Sequence, residues 1–122
     1  MPNLYPDDSL LLHTDLYQLN MMLTYFKKDL HNRTAVFECY FRKLPFENGY
    51  AIFAGLEHIV NYLENLHFTE SDIAYLRDEV GYPADFLDYL ANLDFDLTIR
   101  SAVEGELVFG NEPILQIEGP LA

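Results

Sequence analysis

The chain has 122 residues, of which 50% are apolar and 15% aromatic, enough for one folded domain with a single core. Its net charge of −13 argues against binding to nucleic acid or to an anionic membrane, because both need a basic protein surface. The single Cys39 excludes an internal disulfide framework, and no signal-like or long uncharged apolar segment occurs, so a cytoplasmic location is expected.

Positive charge is concentrated in one short part of the sequence. Five of the seven basic residues lie between positions 27 and 43, whereas fifteen of the twenty acidic residues follow Lys43. A basic island of this kind can bind one anionic ligand. Solvated charges near a turn are the commoner explanation for Lys27 and Lys28.

The sequence begins with a segment that predicts no regular structure and continues into a helix. Residues 1–10 contain two prolines and lack a hydrophobic period, which indicates an N-terminal arm without an assigned function. In the stretch Leu11–Phe26, Thr14 or Asp15 can cap the helix, and Asp15 and Gln18 have a spacing similar to a capping box. The apolar residues that recur every three or four positions predict a buried stripe of Leu16, Leu19, Leu23 and Phe26.

Asp15 and Tyr17 are candidate binding residues in the first turn of this helix. Tyr17 follows a second line beside the apolar stripe, so an acid and an aromatic ring lie at the margin of the buried face, where a flat ligand can be held. The alternative is that Asp15 is only a cap and Tyr17 a boundary aromatic residue, which is the more frequent situation in proteins.

Residues 34–42 predict a strand with two different faces, because β-branched and aromatic residues alternate there. The side that contains Phe37 and Cys39 is apolar, and Cys39 is interpreted as a small core residue and not as a nucleophile. The other side brings Glu38 and Arg42 to one face, two alternations apart. There they either line a cleft or form an ordinary surface pair.

A turn and a helix are predicted next. Pro45 and the Asn48–Gly49 pair indicate the turn, and a short apolar run follows at residues 50–54. Gly55 separates this run from a segment whose apolar residues recur with the helical period, which predicts a helix with one apolar and one solvent-exposed side.

Two further helices and a sheet complete the prediction. Thr69 and Asp72 have the capping-box spacing, Gly81 ends that helix, and Pro83 fits the first turn of the next one. All three helices after residue 55 are interpreted as packing elements. From Phe95 the period changes to two, which predicts two or three short strands in an antiparallel or mixed sheet. The expected fold is α+β, with a few helices packed on a short, mostly antiparallel sheet.

The common signatures of catalysis are absent from the sequence. It contains no Gly-rich phosphate loop, GxSxG, CxxC or HExxH motif. The four histidines lack the spacing of a metal-binding pair, so no metal site is expected. The remaining candidates for chemistry are Asp15, Tyr17, Glu38, Arg42 and Lys43.

Three blocks of the sequence resemble the N-terminal domain of nicotinate phosphoribosyltransferases. They are TDLYQLNMMLTYF, TAVFECYFRKLPFENGYAIFAGLEHIVNYLENLHFTESDIAYL and EGELVFGNEPILQIEGPL. The resemblance covers nearly the whole chain and implies that residues 11–122 form this domain. The departures are slight: Asn20 stands where a Thr is more usual, and Gly110 where a Pro is often seen.

The resemblance implies a pentosyltransferase of NAD biosynthesis with an ATP-dependent, ligase-type reaction. Enzymes of this family convert nicotinate and phosphoribosyl pyrophosphate to nicotinate mononucleotide and pyrophosphate, with magnesium and coupled ATP hydrolysis. They are homodimers in which the N-terminal domain of one subunit completes the active site of the other. By this resemblance Tyr17 stacks on the pyridine ring, Asp15 lies beside that ring, and Arg42 and Lys43 contact the phosphate side.

The family's barrel-like C-terminal domain is missing from this sequence, which ends at Ala122 after a predicted strand and a Gly-Pro turn. The expected pyrophosphate-binding turns and the phosphorylated histidine are missing with it, so this chain alone is expected to be inactive and to bind neither Mg²⁺ nor ATP. An exposed apolar patch is expected where the missing domain docks. The competing hypothesis is a non-catalytic dimerisation or ligand-sensing module. Selectivity between nicotinate and nicotinamide stays open.

Overall fold

A computed structural model describes residues 10–122, so the predicted N-terminal arm lies outside the described residues except for Leu10. The α+β class is confirmed, and no barrel is formed within this range. The helices are α1 (Leu16–Lys27), α2 (Leu56–Glu64), α3 (Glu70–Tyr75), which continues into a π-helical turn (Leu76–Val80), and α4 (Ala84–Ala91). The strands are β1 (Thr34–Cys39), β2 (Ala51–Ile52), β3 (Thr98–Ser101), β4 (Leu107–Val108) and β5 (Leu115–Pro120), and a 3-10 turn occupies Pro45–Glu47.

The strands form two antiparallel sheets. In the three-stranded sheet β5 is central, with β1 on one side and β3 on the other. β2 and β4 form a separate two-stranded ribbon, in which Ile52 pairs with Leu107. The strands predicted after Phe95 are present, although Val103 lies outside them. They do not form one sheet as predicted, because β4 pairs with β2. The partner of β1 is the last strand of the described chain.

Most of the core is supplied by residues 68–90, chiefly by α4. Its buried residues are Leu19, Phe68, Leu76, Tyr82, Phe86, Leu87 and Leu90. The Tyr82 hydroxyl donates a hydrogen bond of 2.8 Å to Asn20 Oδ1 and thereby connects α1 to the segment before α4. The packing role predicted for the helices is confirmed for α4, and Ile73 of α3 packs against the core while partly buried. Neither α2 nor α3 contributes a fully buried residue.

The predicted ends of α3 are confirmed in detail. The Thr69 hydroxyl accepts from the Asp72 N–H at 3.1 Å, and the Thr69 N–H donates to Asp72 Oδ2 at 2.9 Å, which completes the capping box. Gly81 follows the π-helical turn with a φ of 79°, a left-handed conformation that suits glycine. No helix within residues 10–122 is both long and apolar enough to cross a membrane.

The start of α2 depends on a residue distant in sequence. Gly55 is its N-cap with a φ of 111°. Glu104 Oε1 accepts hydrogen bonds from the Gly55 N–H at 2.7 Å and the Leu56 N–H at 2.6 Å. A carboxylate therefore satisfies two donors that would otherwise lack a partner at the helix N-terminus, where negative charge is favourable.

The predicted features of α1 are confirmed only in part. The helix begins at Leu16 with Asp15 as N-cap, but the Asp15 side chain makes no capping hydrogen bond. The Gln18 side chain instead accepts from the Thr14 hydroxyl at 2.5 Å, so the predicted capping box is wrong. Leu16 is 53% exposed, Leu19 alone of the predicted stripe is fully buried, and Leu23 and Phe26 pack against the core while partly buried.

Two predictions for the strand at residues 34–42 are also wrong. β1 ends at Cys39, so Arg42 follows the strand, and Glu38 accepts from Gln116 Nε2 at 3.0 Å on the adjacent strand instead of facing Arg42. Phe37 is 64% exposed, and Cys39 is an exposed free thiol and not a core residue. No residue of the buried core comes from β1, whose residues are exposed except for the half-buried Ala35.

Candidate functional site

A mostly apolar cleft of about 690 Å³ extends along one side of α1. Helix α1 supplies one wall, and β1 and α2 each add an aromatic residue. Residues that line it include Tyr17, Leu19, Met21, Met22, Tyr25, Phe37, Tyr62, Phe68 and Phe95. A concave surface of this composition, bordered by His13, Thr14 and Gln18, suits a ligand with an apolar ring and few polar groups.

Tyr17 offers the most accessible ring on the α1 side of this cleft. It is the second residue of the helix and is 58% exposed, whereas Leu19, two positions later, turns into the core. Within residues 10–122 its hydroxyl has no hydrogen-bond partner, so the surrounding groups do not orient it. The aromatic face is therefore available for stacking, as the sequence predicts for a binding residue.

The lining of this cleft also contains aromatic residues that the sequence did not single out as site residues. Phe37 reaches the cleft from β1, and Tyr62 from α2. Burial raises the pKa of Tyr62, so its hydroxyl stays neutral at physiological pH. The only sequence signal for Phe37 was its place on the apolar face of a strand, and that signal cannot distinguish a cleft from a core.

Asp15 lies beside this cleft and not within it. It lines a smaller open cavity of about 460 Å³ that shares His13, Thr14 and Gln18 with the aromatic cleft. Its side chain is exposed and forms no hydrogen bond to its own helix. The structure thus brings Asp15 and Tyr17 to adjoining surfaces at the start of α1.

Arg42 and Lys43 line a second cleft, of about 310 Å³. The other lining residues are Phe41, Leu44, Glu47, Asn48, Gly49 and Gly110. Both cationic side chains are exposed. The two ion pairs found within residues 10–122 join Arg77 to Asp78 and Arg100 to Glu118, so neither Arg42 nor Lys43 is neutralised by the described chain. Two such cations at a concave surface suit an anion with several oxygen atoms.

The segment that carries Arg42 is anchored by the turn between β4 and β5. The Asn111 N–H donates to Phe41 O at 2.7 Å, and the Ile114 N–H donates to Cys39 O at 2.9 Å. This anchoring continues the contact between β1 and β5 beyond the last regular pair, Cys39 and Leu115. The sequence indicated a turn at Gly110-Asn111 but not its connection to Arg42.

The two clefts share no lining residue. The structure therefore brings Asp15 near Tyr17, and Arg42 beside Lys43, but it does not unite the four candidates in one cavity. In the part of the chain that the structure describes, no cluster of three or more His, Cys, Asp or Glu side chains could hold a metal ion.

The fold and these clefts define a small α+β domain with a mostly apolar cleft beside α1 and a separate cleft lined by two cationic residues. The family model described as the nicotinate phosphoribosyltransferase N-terminal domain matches residues 12–122. The chain belongs to this family.

Individual relatives agree with the family assignment. A nicotinate phosphoribosyltransferase of Bacillus subtilis is 58% identical over 117 residues, which are 96% of this chain and 24% of the relative. One from Caenorhabditis elegans is 43% identical over 114 residues, covering 91% of this chain and 20% of the relative. The crystal structure of the human enzyme superposes with a TM-score of 0.79 at 35% identity, over 88% of this chain and 22% of that one. The chain thus spans about a quarter or less of these relatives.

Proposed function

We propose that this chain acts as the N-terminal domain of a nicotinate phosphoribosyltransferase, with residues 11–122 as the domain. The enzyme converts nicotinate and phosphoribosyl pyrophosphate to nicotinate mononucleotide and pyrophosphate, and ATP hydrolysis is coupled to the reaction. The observation that carries this proposal is the family match over residues 12–122, which includes both Tyr17 and Arg42. The 58% identity to the Bacillus subtilis relative supports it.

Tyr17 binds the pyridine ring of nicotinate by stacking. Its ring is accessible and belongs to an apolar cleft, and an aromatic pair in an offset or edge arrangement contributes about 0.5–1.5 kcal/mol beyond buried area. Asp15 lies at the edge of the same region and contacts the bound ring from the side.

Arg42 binds a phosphate oxygen of phosphoribosyl pyrophosphate, and Lys43 assists it. A guanidinium can donate two parallel hydrogen bonds to a phosphate, which an ammonium cannot. A hydrogen bond to a charged group contributes about 1.5–3 kcal/mol. Arg42→Ala should therefore raise the KM for phosphoribosyl pyrophosphate by about 10- to 150-fold.

The separation of the two clefts favours a domain that completes an active site formed by other parts of the enzyme. Nicotinate and phosphoribosyl pyrophosphate must meet for the reaction, but residues 10–122 do not unite the two clefts. Further binding groups are therefore needed between the stacked ring and the phosphate contact. In the proposal these groups belong to a C-terminal domain, and the enzyme is a homodimer whose N-terminal domains reach the partner's site. Magnesium, which neutralises pyrophosphate charge when bound, and ATP also belong to the part outside this chain.

A chimeric enzyme tests the proposal. Residues 12–122 of this chain replace the matched segment of the Bacillus subtilis relative, and nicotinate mononucleotide formation is measured. We expect turnover that requires both substrates, whereas the 122-residue chain alone gives none. A folded, dimeric chimera without activity would contradict the proposed function and favour the non-catalytic ligand-sensing or dimerisation module.

Mixed dimers test the contribution to the neighbouring site. One chimera carries Tyr17→Ala, and the other has an inactivated C-terminal part. If the domain reaches its partner's site, each mixed dimer contains one intact site, so random mixing of equal amounts restores about a quarter of all sites. Mixed dimers that form without any recovery would show that each subunit uses its own N-terminal domain.

A further inference from the structure

Gly110 lies unusually close to the backbone of Arg42. A Cβ atom at Gly110 would be 3.0 Å from Arg42 O and 3.6 Å from Phe41 Cε2. The first distance is shorter than an ordinary van der Waals contact, and its partner is a backbone atom that cannot turn aside as a flexible side chain can. Any larger residue at position 110 would push the Arg42 peptide away by a few tenths of an ångström.

The next residue fixes the same peptide segment from another direction. The Asn111 N–H donates to Phe41 O at 2.7 Å, which is a short and direct contact. Asn111 has a φ of 63°, and asparagine is one of the few residues other than glycine that adopt this left-handed conformation readily. In this chain Gly110 thus permits the close approach without a shift of the backbone, and Asn111 suits the left-handed conformation of the turn.

We infer that the Gly110-Asn111 turn is a positioning device for Arg42, an inference that rests on the proposed function of Arg42 in binding phosphoribosyl pyrophosphate. β1 ends at Cys39, so regular strand pairing does not fix the backbone at Arg42. The turn does so instead, through a steric stop at Arg42 O and a hydrogen bond at Phe41 O. It determines where the guanidinium enters the cleft, and neither Gly110 nor Asn111 needs to contact the substrate.

Gly110→Ala tests the steric stop, and Gly119→Ala is the matched control. A Cβ at Gly119 would likewise be 3.0 Å from a backbone oxygen, that of Asp96, but Gly119 lines neither cleft. In the active chimera we expect Gly110→Ala to raise the KM for phosphoribosyl pyrophosphate by roughly threefold to tenfold, less than the ~100-fold that a 1 Å misplacement can cause. The KM for nicotinate, and both KM values of the Gly119→Ala enzyme, should stay within about twofold of those of the parent.

A second pair of variants keeps the test decisive if Gly110→Ala does not fold. Asn111→Ala disfavours the left-handed backbone and should produce the same selective rise in the KM for phosphoribosyl pyrophosphate. Asn111→Gly accepts this backbone conformation without strain and should restore most of the lost affinity, although both substitutions remove the same side-chain amide.

A double-mutant cycle separates positioning from a general structural effect. If the turn acts through Arg42, Gly110→Ala should change the KM for phosphoribosyl pyrophosphate by less than twofold in an Arg42→Ala enzyme. Equal effects in both backgrounds, or equal effects of Gly110→Ala and Gly119→Ala, would overturn the positioning role and leave the proposed function intact. An Arg42→Ala enzyme with an unchanged KM for phosphoribosyl pyrophosphate would overturn both.

Discussion

Tyr17→Ala should weaken nicotinate binding, and the loss in binding free energy follows from how much of the ring is accessible. Tyr17 is 58% exposed, and an aromatic side chain presents about 200 Å², so a flat ligand on one face covers roughly 60 Å². At about 25 cal/mol per Å² this burial contributes about 1.5 kcal/mol, and stacking adds about 0.5–1.5 kcal/mol. We expect the KM for nicotinate in the chimera to rise by about 30- to 150-fold, with a small change in the KM for phosphoribosyl pyrophosphate.

Two control variants identify the ring as the cause. Tyr17→Phe keeps the ring, and within residues 10–122 the hydroxyl has no partner to lose, so the KM for nicotinate should change by less than about threefold. Tyr75→Ala removes a tyrosine on α3 of similar exposure, 53%, that lies outside the aromatic cleft, and it should have no effect on the KM. Stacking by Tyr17 is refuted if Tyr17→Ala leaves the KM for nicotinate unchanged or if Tyr17→Phe is equally damaging.

Further predictions concern stability and reactivity. Burial raises the pKa of Tyr82 above its unfolded value of about 10, so its contribution to the free energy of unfolding should be constant below pH 10 and decline above it. Tyr82→Phe should lower the free energy of unfolding at pH 7 by about 1 kcal/mol in a denaturant titration and reduce the decline at alkaline pH. An unchanged denaturation midpoint would contradict a stabilising role for the hydrogen bond to Asn20. Glu104→Ala should lower the free energy of unfolding by about 0.5–2 kcal/mol, because it removes the acceptor at the start of α2. Glu57→Ala on the same helix is the control, and an equally small loss for both variants would argue against this cap. The Cys39 thiol should react with a thiol reagent in the native chain nearly as fast as in denaturant, and strong protection would mean that Cys39 is buried after all.

Features that depend on a few neighbouring residues were predictable from the sequence. The capping box at Thr69 and Asp72 and the helix end at Gly81 follow from local hydrogen bonds and backbone preferences, and both are confirmed. The change of period after Phe95 likewise predicted the strands β3 to β5. Long ordered blocks of sequence indicated the family, which the match over residues 12–122 confirms.

The same kind of pattern failed where the environment of a side chain is set from outside its own segment. Alternation placed Phe37 and Cys39 together on an apolar face, and β1 does form, but both residues are exposed. Asp15 and Gln18 had a spacing suitable for reciprocal capping, yet the neighbouring Thr14 hydroxyl bonds to the Gln18 side chain instead.

The candidate site residues could be named from the sequence, but their arrangement could not. Tyr17 was a candidate as a ring near a helix start and Arg42 as a cation at the end of a predicted strand, and the resemblance to the family assigned a binding role to both. In the folded chain the two residues line separate clefts, and Gly110 lies against the backbone of Arg42. Both arrangements depend on the pairing of β1 with β5, which comes from the other end of the chain. Periodicity and capping depend on the local backbone, so short stretches of sequence are enough to predict them. Whether a strand face is covered, and which turns come into contact, depends on how distant elements pack, which is a property of the whole fold.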